Sequence, residues 1–100
     1  MTSIGSRALL SAGPLPYSGG DLNVRFAALA LPGSTEQLQL GVYDPAGRRV
    51  ALLADGAYES GSYQLTWDGR SGAGHRLASG VYFLRLTSPD RRRTIKLAIR

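Results

Sequence analysis

The sequence predicts a single all-β domain built as a sandwich, and three observations carry that prediction. Apolar and polar residues alternate with a period of two in short runs, and Gly, Pro, Asn and Asp separate those runs at roughly ten-residue intervals. No stretch long enough for a helix keeps a helical period. The content of 13 Gly and 5 Pro suits many short strands joined by tight turns, and 100 residues provide one core.

Residues 1–20 read as a flexible lead-in. Gly13-Pro14-Leu15-Pro16 and Ser18-Gly19-Gly20 break any period, so ordering them costs entropy with little burial to offset it, except near Tyr17. The domain is expected over residues 21–100. Leu22, Val24, Phe26 and Ala28 alternate with Asn23, Arg25 and Ala27 in a first strand, closed by Leu31-Pro32-Gly33-Ser34. Leu38, Leu40 and Val42 mark the second. Asp44-Pro45-Ala46-Gly47 has turn chemistry at each place: an acceptor, a preset φ, and a glycine free to take positive φ. A short third strand over residues 49–53, with Val50 and Leu52 facing one way, completes a hairpin.

Residues 55–61 read as a polar crossing. Tyr63, Leu65 and Trp67 form the fourth strand, and a Gly-rich loop follows. Tyr82, Leu84 and Leu86 point inward from the fifth, with Val81 and Phe83 on its other face. Ser88-Pro89-Asp90-Arg91-Arg92 turns the chain into the sixth, where Ile95, Leu97 and Ile99 alternate with Lys96 and Ala98. Six to seven strands in this order suit a sandwich with hairpin and Greek-key connections; a small barrel is the rival that periodicity leaves open.

The side chains that carry chemistry are sparse. The one histidine, His75, lies in a loop whose composition follows turn geometry, and no Gly-x-Ser-x-Gly elbow supplies a nucleophile. The carboxylates are scattered, Asp44 and Asp68 each having a local use as turn acceptors, so no metal site is expected. The Gly-x-Gly of residues 72–74 runs between strands without the helix N-terminus that a phosphate cradle needs. No cofactor is implied.

The net charge is +5, and every basic residue except Lys96 is an arginine, which reads first as a solvated basic surface. Arg91-Arg92-Arg93 sits at a hairpin tip without interleaved aromatics, so nucleic acid is not the expected partner. Phe83 and Tyr43 face outward by phase and make only a weak patch for a sugar. No run approaches the ~20 apolar residues of a membrane span.

Residues 67–82 are the most distinctive segment: Trp-Asp-Gly-Arg-Ser-Gly-Ala-Gly-His-Arg-Leu-Ala-Ser-Gly-Val-Tyr. Trp67 ends a strand pointing inward and Asp68-Gly69 opens a turn. Gly74 allows a second bend, and Leu77, the one large apolar residue in the loop, is expected to plug the end of the sandwich. Gly80 is expected to permit a close backbone approach before Tyr82.

With Asp44, Gly47 and Arg48 upstream and Thr94-Ile95-Lys96-Leu97 downstream, this pattern resembles the FlgD Ig-like domain family. It is also similar to the C-terminal sorting domains of the type IX secretion system. Pro14-Leu15-Pro16-Tyr17 looks like the Pro-Asn-Pro-Phe lead-in of such domains, with Leu15 and Tyr17 as departures. The resemblance implies an immunoglobulin-like sandwich. It also implies a non-catalytic accessory module at the C-terminus of a larger exported bacterial protein, at the cell surface or outside the cell.

Its partner would be a protein, either a translocon or an assembly partner as in flagellar hook capping. A carbohydrate-binding module is a weaker alternative. Recognition is expected at the last strand, through Thr94, Ile95, Lys96, Leu97, Ile99 and Arg100, as an added strand.

Overall fold

The alternation of the sequence becomes seven strands in a computed structural model that describes residues 9–100. The expected lead-in over residues 1–8 lies outside the described residues. The strands are β1 (Leu10–Gly13), β2 (Leu22–Ala28), β3 (Glu36–Tyr43), β4 (Arg49–Tyr58), β5 (Gly61–Trp67), β6 (Gly80–Thr87) and β7 (Arg92–Ile99). They form two antiparallel sheets, ordered β1-β2-β5 and β4-β3-β6-β7, so the sheet does not close into a barrel.

The core lies where the inner faces meet. Leu22, Val24, Leu40, Val42 and Leu84 are all 0% exposed, joined by Leu38, Leu86 and Leu97. Each such side chain contributes about 1.5–3 kcal/mol by leaving water, and together they hold the two sheets face to face.

Three expectations are corrected. The lead-in is not a linker throughout: Leu10 to Gly13 pair with Phe26 to Asn23, and Leu10 is buried. Only Leu10 and Ala12 mark an inner face there, too few to show a period. Pro14 and Pro16 lack N–H donors and end that ladder. Tyr17 then crosses to the other sheet and bridges to Ile99 of β7 in parallel.

The third expected strand is longer than residues 49–53 and has a different phase. Two register shifts against β3 leave Val50 and Leu53 as extra residues in β4. These bulges let Val50, Ala51, Leu53 and Ala54 all reach the core while Leu52 turns outward at 42% exposure. Simple alternation cannot register a strand that shifts phase twice.

The polar crossing shrinks to Glu59 and Ser60, because β4 continues to Tyr58 and β5 begins at Gly61. Tyr58, Tyr63 and Phe26 bracket this step between sheets. Phe26 lies 5.4 Å from Tyr58 and 5.5 Å from Tyr63, and the two tyrosine rings are 4.8 Å apart edge to face.

At the same end, Arg91 Nη2 donates to Glu36 Oε1 at 2.7 Å and Nε to Oε2 at 3.0 Å. The same Nη2 reaches the Ala27 carbonyl, and the Leu29 amide donates to Glu36 Oε1. The Arg91 guanidinium holds the Glu36 carboxyl below its usual range, with burial opposing the shift. One fork of charge thus ties the β6–β7 turn to β3 and to the end of β2.

Candidate functional site

Two neighbouring features hold the residues singled out by sequence: the loop between β5 and β6, and the outer edge of β7. The loop is organised by its own turn residues. The Arg70 amide donates to Asp68 Oδ1 at 3.1 Å, and Gly74 to the Ser71 carbonyl at 2.9 Å. Ser71 Oγ accepts from the Ala73 and His75 amides, while the Leu77 amide donates back to the Gly69 carbonyl. Gly69, Gly74 and Gly80 have φ of 80°, 86° and 155°. Trp67 Nε1 donates to the Arg70 carbonyl at 3.0 Å, which satisfies the polar atom of a ring that is otherwise buried. His75 is exposed.

The loop is docked as well as folded. Its Gly72 amide donates at 2.9 Å to the carbonyl of Val50, one of the bulge residues of β4. A bulge leaves backbone groups outside the ladder, and here the loop uses one of them.

The plug is Tyr17 rather than Leu77. Tyr17 is 6% exposed, its ring stacks on Trp67 at 5.9 Å, and its hydroxyl donates to the Gly20 carbonyl. A Cβ on Gly69 would stand 2.5 Å from the Tyr17 hydroxyl oxygen, so the glycine of Trp-Asp-Gly makes room for the tyrosine ring. Leu77 is half-buried against the rim of this cluster. It lines a shallow cleft of about 60 Å³ with Tyr17, Asp68, Arg76 and Ile99. Gly80 also differs from expectation: a Cβ there would meet only Tyr82 Cε1 at 3.9 Å, so its positive φ is the reason for glycine. Tyr82 donates to the Ala78 carbonyl at 2.8 Å and fixes the return into β6.

Asp44 and Gly47 form a separate turn between β3 and β4. The Gly47 amide donates to the Asp44 carbonyl and the Arg48 amide to Asp44 Oδ1. Asp44 and Asp68 therefore each serve their own turn. Among the described residues, no group of three or more His, Cys, Asp or Glu gathers with metal-binding geometry.

Strand β7 is an edge of the four-stranded sheet, and its expected recognition residues divide by parity. Ile95, Leu97 and Ile99 face the core, with Leu97 and Ile99 buried. They are structural. Thr94, Lys96 and Arg100 are exposed, and backbone groups of this parity point away from β6. Tyr17 has already taken part of that edge: its amide donates to the Ala98 carbonyl and its carbonyl accepts from the Arg100 amide, both at 2.8 Å. Among the described residues, no backbone bond is made on the outer side of Thr94 and Lys96, although β1 runs near β7; the stretch has basic side chains at Arg92, Arg93 and Lys96.

Sequence reasoning missed Tyr17 as the strap over this edge and Arg91 as a clamp. The one available signal for Tyr17 was an aromatic residue following Pro-x-Pro. Nothing local marks Arg91, whose partner is 55 residues away.

The sequence profile of one known family, described as FlgD Ig-like domain, matches residues 18–91. The matched span holds β2 to β6 and the whole signature loop, while Tyr17 and β7 lie outside it. No curated protein matches the chain.

Proposed function

The chain belongs to the FlgD Ig-like domain family, and from that premise we propose that it is a non-catalytic, protein-binding accessory module of an exported bacterial protein. Its task in this reading is secretion sorting or attachment at the cell surface, and the part recognised is the open edge of β7. The observation that carries the reading is the division of that edge. Ala98 and Arg100 are capped by Tyr17, whereas Thr94 and Lys96 have outward backbone groups with no partner among the described residues, beside basic side chains. An extended segment of a partner can add there as a further strand, with its backbone supplying affinity.

Removing the end of β7 is a poor test, because residues 96–100 include buried Leu97 and Ile99 and the domain would unfold. Thr94→Pro is better. It deletes an outward N–H at an edge position where proline is tolerated, and it leaves the inward ladder intact. The full chain is fused to a periplasmic reporter in a host with type IX secretion. Export should fall for Thr94→Pro while circular dichroism stays unchanged; unchanged export would sink the proposal.

A second reading is a spacer or assembly domain, as in hook capping. It is favoured by the family match itself, which covers the body of the sandwich and stops at Arg91. The genes encoded beside this one separate the readings, since flagellar neighbours favour assembly and a hydrolase upstream favours sorting.

A further inference from the structure

The two outer faces of the sandwich differ in chemistry. On the three-stranded sheet the outward positions include Ser11, Asn23, Arg25, Ser62, Gln64 and Thr66, with buried Ala27 at one end, and Arg25 is the one charge there among the described residues. On the four-stranded sheet, the strand register brings Arg49, Arg85, Arg92 and Lys96 to the outer face around Tyr43 and Phe83. Asp55, on β4 beside Gln39, is the one carboxylate on that face among the described residues. None of the four cations belongs to an ion pair among the described residues.

The face is ordered by packing. Gly41 lies in its middle, where a Cβ would stand 3.2 Å from Tyr43 Cε1, Arg49 Cδ and the Ala51 carbonyl. Its missing side chain lets the tyrosine ring and the arginine stem lie flat over the sheet. Arg85 covers the ring, its guanidinium carbon 4.2 Å from the centroid, and its buried Nε has no partner. Leu52, 42% exposed, and Val81, 40% exposed, border this cationic strip with apolar surface.

We infer that this face is a docking surface for a protein that presents carboxylates around an apolar centre. Charge complementarity selects the sign of the partner, and Phe83, Leu52 and Val81 supply apolar area to bury. A sugar or nucleic-acid base would need an open ring to stack on, and the Tyr43 face is occupied by Arg85. The surface is the flat of the sheet rather than its edge; Arg92 and Lys96 border both, while Tyr43, Phe83 and Arg85 belong to this face alone.

The test is an NMR titration of the full chain at low salt with three probes of matched charge: a peptide alternating Glu with Leu and Phe, heparin, and single-stranded DNA. With the peptide, the Tyr43 and Phe83 ring and Leu52 and Val81 methyl resonances should shift. Arg85→Glu combined with Lys96→Glu should weaken its binding by about tenfold or more, and Arg25→Glu, on the opposite sheet, should leave it unchanged. If Arg85→Glu does not fold, Arg92→Glu with Lys96→Glu, both at exposed positions, carries the same expectation. The inference is overturned if the peptide fails to bind, or if heparin or DNA shifts the same resonances as strongly. It is also overturned if the peptide perturbs the Thr94 and Lys96 amides and leaves the Tyr43 and Phe83 rings unshifted.

Discussion

At one end of the sandwich Tyr17 stacks on Trp67 over a glycine, and a hydrogen-bonded loop lies across the top. At the other, Arg91 grips Glu36 and the Ala27 carbonyl beside three packed aromatic rings. Both arrangements close the core against water. The first is built from neighbours in sequence, with one strap added from the N-terminal side, and its residues announce themselves by type and spacing. The second joins groups from three distant segments through charge. The difference teaches that the recognisable end positions the exposed edge of β7 through Tyr17, while the end without a motif carries the ionic part of the fold.

The largest effect should come from Trp67→Ala. It removes the buried base of the aromatic stack, costing about 3–5 kcal/mol in urea unfolding, and it should also release Tyr17 from β7. A loss below that range would mean that Tyr17 settles onto the core without its partner.

Arg91→Ala should cost less, about 2–3 kcal/mol, because it breaks a bidentate pair and strips Glu36 of its charged partner while the Leu29 amide stays. This end should respond to acid. The Glu36 carboxyl titrates below its ordinary value of 4.5 in the folded chain. Its contribution is therefore complete above that value and lost as pH falls through the lowered folded value. Urea midpoints of the parent and Arg91→Ala should differ at pH 7 and converge toward pH 3; a constant gap would deny the pair its role.

Leu77→Asp sharpens the contrast within the first end. Since Leu77 is half-buried at the rim, the change should cost about 1–2 kcal/mol and leave the domain folded. The smallest effect belongs to His75→Ala, within about 0.5 kcal/mol by thermal melting, because its exposed side chain closes no contact in the loop.

Legibility follows the same division. Strands β2, β3, β6 and β7 keep one phase throughout, so Leu22, Val24, Leu38, Leu40, Leu84 and Leu97 could be placed in the core from alternation alone. The signature loop could be read because Trp67, Asp68 and the glycines meet local turn requirements. Strand β1 has too few apolar residues to show a period, and β4 hides its phase behind two bulges. The Glu36–Arg91 pair has no sequence period at all, since tertiary proximity creates it. The edge of β7 was half legible: its alternation was plain, but the capping of Ala98 and Arg100 by Tyr17 was not.

The openness of β7 at Thr94 and Lys96 is measured most directly by amide hydrogen exchange on the protein alone, resolved residue by residue by NMR. The Thr94 and Lys96 amides should exchange near the unprotected rate. Leu97 and Ile99, paired to β6, and Arg100, bonded to the Tyr17 carbonyl, should be protected. Protection at Thr94 and Lys96 equal to that of Leu97 would contradict an open edge and remove the site on which the proposed recognition depends.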